Sequence, residues 1–578
     1  MNGRTFLKLG ALILFLTVVL SGVGLAQVRY LNVTDGDDSY TGVNPTNSPL
    51  GTGPKRTLEG AFAAFGTGTT VNMAAGIYSI DQSSIGGGND ADGVTLGTGA
   101  TKSMTFVIQT YNLNNSVTIA GAGPFVLNSG SGTVTFQPAV LGTNTLALGA
   151  GTTGITLTTG ALDISALGAG GFTVVAGATA ITRAAGSIVG TPTYSGSAYT
   201  VTYTGASKTA GGEVPLSLTS ITLSMTAGAT ATFPNAVTFA VTAAGGLFAT
   251  TATNAVFNAL VTLAASAGGV TATISNGTTA TWTFNGGVTV TSQIGPNGTP
   301  ISNTFTGALR VTGPLTFTQA TSAVSHTSLL TNTGAGALSF TGGIAEVSPA
   351  AGILPVVNVS NTSTGTLTLG GAAVASTISG FLTTAAAGGI VSIAGPVTVS
   401  GVLTNGAGHT ISLGANTLTL SLAAAHTNDG TISSGGIGVG LLNLTSAGAK
   451  SIAGAGALAN TQCSGAGLLT IAAATTIAGN LTSAAGSGGI TVLTAGAVTV
   501  TGALFINGGT LTTNPGGMTT LAGSVYLNGG TLLLGGTLTV FGPFNQNGGT
   551  LSFGVNLLDI KGNFNRTTGN LGRFHCEQ

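Results

Sequence analysis

Short segments in which apolar residues alternate with threonine recur along most of this chain, and they limit it to a repetitive β structure. Val237-Thr238-Phe239, Val288-Thr289-Val290 and Leu418-Thr419-Leu420 are typical, and Gly, Asn or Ala-Gly turns separate such segments. Neighbouring side chains of a strand point to opposite faces, so each segment has one apolar face and one threonine face. The pattern predicts many short strands with one buried face.

The clearest repeat fixes the length of the repeating unit. Asn-Gly-Gly-Thr-Leu begins at Asn507, Asn528 and Asn547, at intervals of about 20 residues, and Asn285-Gly286-Gly287 begins in the same way. Such a period is typical of one coil of a β-solenoid. Asn-Gly-Gly supplies the positive φ that a tight corner requires. Because stacked coils place like residues over like, these asparagines can form a hydrogen-bonded ladder.

The composition excludes several classes of protein. Only 4% of the 578 residues are charged, with 13 basic and 13 acidic side chains, whereas an ordinary domain has about 25%. Zero net charge removes the electrostatic basis for binding nucleic acid or an anionic membrane. A hydrophobic content of 43% and a mean hydropathy of +0.52 argue against disorder.

Residues 1–26 have the pattern of a secretory signal peptide. Arg4 and Lys8 precede a short apolar run, and small residues lead to Gly24-Leu25-Ala26. The run is shorter than the roughly 20 apolar residues of a membrane-spanning helix. We therefore expect a secreted or cell-surface protein that begins near Gln27 and has no membrane span after signal removal.

Residues 27–100 differ from the rest and predict an N-terminal cap with the first coils. A loop containing Asp35-Gly36-Asp37-Asp38 precedes a short helical pattern over 57–65. Leu58, Phe62 and Phe65 share one face of this helix, and Thr57 suits its N-cap. A helix laid across the first coil would cover its apolar end and its unpaired backbone groups.

This order of segments, which continues into strands at 69–73 and 76–78, resembles the N-terminal region of secreted bacterial right-handed parallel β-helix proteins of the pectate-lyase-like superfamily. The match covers residues 30–80. The later Gly/Thr-rich repeats are similar in composition to adhesin-like bacterial surface proteins. The resemblance implies an all-β fold, a right-handed parallel β-helix with a short N-terminal capping helix.

The remaining chain divides into a β-solenoid over 101–560 and a C-terminal tail over 561–578. The tail has no evident anchor or sorting module, as expected of a truncated longer protein. Within the solenoid, Tyr199 and Tyr203 alternate with threonines between loop residues. This alternation predicts a hairpin insertion over 190–215.

The sequence offers no convincing catalytic residues. General acid–base chemistry needs two titratable groups that converge on one bond, and β-helix enzymes that act on polysaccharides use clustered carboxylates. Lys208 and Glu213 are the nearest oppositely charged neighbours within the solenoid, and we interpret them as a solvated surface pair. Between Gly93 and Leu558 the only charged residues are Lys102, Asp163, Arg183, Lys208, Glu213, Arg310, Glu346, Asp429 and Lys450.

Two groups of residues are candidate binding sites. The carboxylates of the N-terminal region supply oxygen ligands suited to calcium, with turn capping as the alternative: Asp35, Asp37, Asp38, Asp90 and Asp92. Tyr194, Tyr199 and Tyr203 suit a sugar-stacking patch, with edge-strand packing as the alternative. Calcium is the only cofactor that these patterns suggest.

Other polar and aromatic residues have simpler interpretations. His326, His409 and His426 lack the spacing of metal ligands, and Trp282 and Phe284 fit the core. Cys463 and Cys576 are the only cysteines, and several coils separate them, so we expect no disulfide between them.

These patterns favour a non-enzymatic extracellular or cell-surface β-helix, either an adhesin-like stalk or an envelope component. Its partners would be surface glycans or other envelope proteins, and not nucleic acid. A carbohydrate-active β-helix enzyme, such as a polysaccharide lyase or a glycosidase, is one alternative. An ice-binding threonine ladder is the other.

Overall fold

The structure is a computed structural model that describes residues 28–571 with gaps, the longest of which are 57–68, 80–108, 293–302 and 348–355. The predicted capping helix at 57–65 lies outside the described residues. The described chain is nearly all β, and stacked parallel coils form the β-solenoid that the alternating segments predict. Its helical content is one short 3-10 turn, Ser165–Leu167.

The chain forms two compact units. The first runs to Ala206 and includes Ala210–Ile221, and the second comprises Ser207–Thr209 and the chain from Thr222 onward. The first unit contains two sheets. One is formed by Val28–Leu31, Thr69–Met73, Gln109–Leu113, Phe125–Pro138, Gly154–Asp163, Ala180–Arg183 and Thr200–Gly205, with Ser187–Val189 beside Gly154–Asp163. The other is formed by Gly76–Ser79, Val117–Ala120, Leu146–Leu148, Phe172–Val174 and Thr193–Tyr194, and Ser217–Leu218 follows it in the chain.

The second unit begins with three sheets. The longest contains Lys208–Thr209, Thr230–Phe233, Asn254–Phe257, Thr281–Phe284, Ala308–Val311, Leu338–Phe340, Thr366–Leu369, Ile390–Ile393, Thr410–Ser412 and Thr431–Ser433. The next contains Val237–Val241, Val261–Ala265, Val288–Ser292, Leu315–Gln319 and Ile344–Val347. The third is part of a longer sheet, and its strands in this unit are Ser220–Met225 from Thr222 onward, Gly245–Ala249, Ala272–Ser275 and Asn303–Thr306.

Three further sheets of the second unit reach its C-terminal end. The first contains Thr327–Asn332, Val356–Asn361, Leu382–Thr384, Leu403–Asn405, Ala425–Asn428, Lys450–Ala453, Leu469–Ile471, Ile490–Val492, Thr510–Thr512, Thr531–Leu533, Thr550–Ser552 and Asn570–Leu571. The second contains Ser376–Ile378, Val397–Val399, Thr417–Leu420, Leu441–Leu444, Thr461–Cys463, Leu481–Ser483, Leu504–Ile506, Val525–Leu527, Phe544–Gln546 and Phe564–Arg566. The third contains Thr476–Ile477, Val498–Val500, Met518–Thr520, Leu538–Val540 and Leu558–Ile560.

Near the C-terminal end, one coil is a circuit of three strands. Leu481–Ser483, Ile490–Val492 and Val498–Val500 belong to three different sheets, and the chain then returns to the first of them at Leu504–Ile506. Leu504 stacks on Leu481 in parallel register. The circuit confirms a repeat of about 20 residues for this region.

The corners of the coils explain the glycines of the Asn-Gly-Gly repeat. Gly509, Gly530 and Gly549 have φ of 60°, 64° and 66°, a conformation that L residues with side chains rarely adopt. A Cβ at Gly530 would lie 2.4 Å from the carbonyl oxygen of Gly509. The second glycine of the repeat is therefore required by both backbone conformation and close coil stacking.

The core consists of apolar columns that run from coil to coil. Phe233, Phe257 and Phe284 stack with ring centroids 4.4 and 4.9 Å apart and nearly parallel planes. Trp282 is fully buried, and its indole N–H donates to the carbonyl of Thr253 at 2.8 Å. The interpretation of Trp282 and Phe284 as core residues is confirmed.

The predicted hairpin insertion at 190–215 is wrong. Thr193–Tyr194 pairs in parallel with Phe172–Val174, and Thr200 stacks on Ala180 in a parallel pair. The Tyr–Thr alternation belongs to an ordinary coil whose tyrosines point inward, because a buried strand and a hairpin strand share the same period of two.

We predict that Phe257→Ala destabilises the second unit by about 3–5 kcal/mol, because it opens a cavity in the middle of the phenylalanine stack. Phe541→Ala is the matched control, since Phe541 is 47% exposed. Urea unfolding followed by circular dichroism measures both variants. Equal loss of stability in the two variants would contradict the stacked core.

Candidate functional site

The strongest polar cluster is a buried ion pair in the first unit. Arg183, at the end of the strand Ala180–Arg183, forms a salt bridge with Glu213. The Arg183 side chain is 9% exposed and that of Glu213 is fully buried. Arg183 Nε also donates to the carbonyl of Gly186 at 2.8 Å. An ion pair taken out of water needs such additional hydrogen bonds to offset its desolvation.

Two tyrosines and a backbone amide complete the cluster around Glu213. The Tyr203 hydroxyl and the Gly211 amide each donate to Glu213 Oε1 at 3.0 Å. The Arg183 guanidinium lies 5.9 Å from the centre of the Tyr203 ring. The Tyr194 hydroxyl donates to the carbonyl of Gly212 at 2.6 Å. These contacts hold the 211–213 turn against two strands of the unit.

The electrostatics of the cluster keep both tyrosines protonated. Burial, followed by the nearby Glu213 carboxylate, raises the pKa of Tyr203 well above its usual value of 10.0. The same two causes raise the pKa of Tyr194, and Tyr199 adds to them. The tyrosines act as hydrogen-bond donors. Although arginine, carboxylate and phenol are groups used in acid–base chemistry, Tyr203 and Glu213 are fully enclosed.

The structure corrects two sequence interpretations here. Glu213 is buried against Arg183, so its interpretation as a solvated surface partner of Lys208 is wrong. Tyr199 and Tyr203 are also fully buried, which contradicts an exposed sugar-stacking patch. Tyr194 is half-buried and packs edge-on against Tyr199, with ring centroids 5.1 Å apart. The three tyrosines are brought together, but by internal packing.

The N-terminal aspartates that the structure describes cap turns. Asp35 exchanges two hydrogen bonds with Asn32, and Asp37 Oδ1 accepts from the Ser39 amide at 2.8 Å. For Asp35 and Asp37, these contacts are those of turn capping, the alternative to calcium binding. Asp38, Asp90 and Asp92 lie outside the described residues. Within the part of the chain that is described, no group of three acidic, histidine or cysteine residues is placed to hold a metal ion.

An outer asparagine ladder forms where the Asn-Gly-Gly repeat predicts it. Asn528 Nδ2 donates to Asn507 Oδ1, and Asn547 Nδ2 donates to Asn528 Oδ1, each at 2.8 Å. All three side chains are exposed. The ladder places a row of amides along one corner of the second unit, where each amide keeps hydrogen-bonding capacity for solvent or a ligand.

A second asparagine column is buried, and the sequence patterns did not predict it. Thr384 Oγ1 donates to Asn405 Oδ1 at 2.8 Å, and Asn405 Nδ2 donates to Asn428 Oδ1 at 2.7 Å. Asn428 in turn donates to the carbonyl of Ala457. The strand alternation was an available signal, since Asn405 shares the inward face of Leu403. Its hydrogen bonds offset the cost of burying amides.

The outer faces carry threonine columns. Thr238, Thr262, Thr289 and Thr316 align in parallel register on successive coils, and each is half-buried. The neighbouring outward column begins with Ala240 and Ala264. This face is therefore a line of hydroxyl groups beside alanines at its start, and it bears no charge at these positions.

Two histidines are buried in the second unit. His409 is 1% exposed and His426 is fully buried, and burial lowers the pKa of each below 6.5. The Leu403 amide donates to His426 Nδ1 at 3.0 Å, so that nitrogen carries no proton. His326 lies outside the described residues. The two described histidines serve the core as neutral rings.

Comparison with known proteins gives no relative. No protein-family model matches the chain, and neither a curated protein nor a solved structure matches it significantly. In the described part of the chain, no helix has the length and apolarity to cross a membrane. The class that the structure defines is the parallel β-solenoid, and the finer resemblance to a superfamily has no matching relative to support it.

Arg183→Met leaves the Glu213 carboxylate without its charge partner, and Glu213→Gln leaves the Arg183 guanidinium without one. We predict that each variant destabilises the first unit by about 3–5 kcal/mol, because a buried charge is then unpaired. The double variant Arg183→Met/Glu213→Gln should lose less than the sum of the two single variants, because no unpaired charge remains. Lys561→Met is the control, since the pair of Lys561 with Asp559 is partly exposed and contributes about 0–1 kcal/mol. Additive losses in chemical denaturation would contradict the coupling.

We predict that the second unit loses stability as the pH falls below about 6.5. The unfolded histidines bind protons there, whereas His409 and His426 resist protonation when folded because burial lowers their pKa. Burial raises the pKa of Glu346, which acts in the opposite direction. Thermal melts of the double variant His409→Leu/His426→Asn should depend less steeply on pH. An unchanged slope would exclude the histidines as its source.

Proposed function

We propose that this chain is a non-enzymatic structural β-solenoid of the cell exterior, an adhesin-like stalk or envelope component. One observation carries the proposal: the convergent charged groups are enclosed in the core, while the outer faces bear aligned uncharged side chains. Glu213 is fully buried, whereas the Asn507–Asn528–Asn547 ladder is exposed. Catalysis needs the reverse placement, with titratable groups that a substrate can reach.

The outer columns suit a surface that contacts other molecules weakly and repeatedly. Hydroxyl and amide groups repeat at the coil spacing of about 4.8 Å, so a polymer lying along a column meets the same group many times. Such repetition gives avidity without a deep pocket. The partners that fit are surface glycans or other envelope proteins, since the faces offer hydrogen bonds and little charge.

The signal-like residues 1–26 support an extracellular location. Export would remove this segment and leave Gln27 as the first residue. The carbohydrate-active alternative has less support, because the described carboxylates are dispersed. Asp163 Oδ1 is held by the amide and hydroxyl of Ser165, and Glu346 Oε1 by the amide of Ser379.

Ice binding is the second candidate, and the column Thr238–Thr262–Thr289–Thr316 is the observation that favours it. Binding to a flat face of ice needs a two-dimensional array of hydroxyl groups that matches the ice lattice. The adjacent column starts with Ala240 and Ala264 and reaches a threonine only at Thr291, so these strands supply one line of hydroxyls at that end. A structural role for the solenoid requires no second line of hydroxyl groups.

We predict that the purified protein releases no product from a panel of plant and bacterial polysaccharides, and that immunolabelling finds it on intact cells or in the medium with Gln27 at its N-terminus. Asp163→Asn is the control, because any true carboxylate-dependent turnover should fall in that variant. Robust turnover that this variant loses would overturn the proposal in favour of an enzyme. A cytosolic protein that retains residues 1–26 would overturn the location, and thermal hysteresis would favour ice binding.

A further inference from the structure

A lysine and a cysteine are buried together in the second unit. Lys450 begins the strand Lys450–Ala453 and is 3% exposed, and Cys463 ends the strand Thr461–Cys463 and is fully buried. The two strands belong to different sheets. The core of this coil therefore contains an amine and a thiol, the two most nucleophilic side-chain groups in the unit.

Their polar atoms converge on one carbonyl oxygen. Lys450 Nζ donates to the carbonyl of Gly467 at 2.9 Å and to that of Ser446 at 2.8 Å. The Cys463 thiol points at the same Gly467 oxygen at 3.6 Å, and at the carbonyl of Gly465 at 3.8 Å. The Lys450 amine therefore lies close enough to the Cys463 thiol to oppose the effect of burial on the pKa of that thiol.

Among the described residues, no carboxylate forms a salt bridge with Lys450. In the part of the chain that the structure describes, the salt bridges are Arg183–Glu213 and Lys561–Asp559, and neither involves Lys450. An isolated ion is costly to bury, and the carbonyls of Ser446 and Gly467 are the partners that Lys450 has in place of a carboxylate. Burial raises the pKa of the Cys463 thiol, and the neighbouring lysine opposes that shift. An amine beside a thiol is a pair that oxidation can join.

We propose that Lys450 and Cys463 are an oxidative modification site, at which dioxygen joins the two side chains through an N–O–S bridge. The amine is the reacting form, so a protonated Lys450 first releases a proton to solvent. One N–H bond of the amine and the S–H bond of the thiol then break, and N–O and O–S bonds form around one oxygen atom. The second oxygen atom leaves as water with the two released hydrogens. Nitrogen and sulfur each give up two electrons, and these four electrons reduce dioxygen.

The buried position favours this product over the usual oxidation of cysteine. A singly oxidised cysteine condenses with a nearby nucleophile or is oxidised further when oxidant and water have access. Cys463 has no exposed surface, and the Lys450 amine is a nucleophile that approaches the same Gly467 carbonyl oxygen as the thiol. The bridge would tie two sheets of one coil together, and a thiol reductant would release it.

The test uses the full-length protein purified under air without reductant. It is denatured, alkylated with iodoacetamide, digested with trypsin and analysed by mass spectrometry. We expect Cys463 to escape alkylation, trypsin to spare the bond after Lys450, and the linked peptide to carry one added oxygen and two fewer hydrogens. Treatment with dithiothreitol should restore both alkylation and cleavage. Protein prepared without dioxygen should lack the bridge.

Three variants make the test specific. Lys450→Met and Cys463→Ala should each abolish the linked peptide, and Lys561→Met, which removes an exposed lysine, should retain it. Because chemistry is read from peptides, a folding defect in one variant does not decide the result. Full alkylation of Cys463 in the wild-type protein would overturn the proposal. Loss of two hydrogens without added oxygen would show a disulfide with Cys576 or a direct S–N bond to Lys450, and either would also overturn the proposal, as would sulfinic acid at Cys463.

Discussion

Parallel, in-register hydrogen bonding between successive coils is the constraint from which the rest of this structure follows. Each strand pairs with the equivalent strand of the next coil, as Thr510, Thr531 and Thr550 do in one sheet. Register then places like positions over like at a spacing of about 4.8 Å. Apolar positions become continuous core columns, and asparagines become ladders. A change at one position is felt by two neighbours, so the coil acts as a cooperative repeat.

The same constraint decides what becomes of buried polar groups. A coil interior offers few chances for water, so an inward polar atom is costly unless it finds a partner in its own coil or an adjacent one. Asn405 does so by joining Thr384 below and Asn428 above. Glu213 does so by accepting from Arg183, Tyr203 and Gly211. The first solution is periodic and uses identical groups, whereas the second occurs once and uses opposite charges.

This difference explains how far the sequence alone leads. Periodic features were predictable: the one-faced strands, the positive φ of Gly530 and the amide ladder at Asn528 all follow from spacing. The Arg183–Glu213 pair was not, because its members lie in separate segments and no repeat relates them. The burial of Tyr199 and Tyr203 was not predicted for a related reason. Alternation identifies the two faces of a strand but does not say which face is buried. Asn405 shows that following the alternation from Leu403 would have located the buried face.

In-register stacking also accounts for the scarcity of charge. A charged residue in the repeat would face its copy in the next coil, and two like charges about 4.8 Å apart repel by about 3–4 kcal/mol at the effective dielectric of a protein surface. The charges that remain avoid this repulsion by having uncharged register neighbours. Arg310 lies between Thr283 and Ser339, and Asp559 stacks on Thr539. Threonine and asparagine escape the penalty because each can donate to one copy and accept from the other. A solenoid of this length therefore favours uncharged hydrogen-bonding faces, and low charge is a consequence of its architecture before it is an adaptation to any ligand.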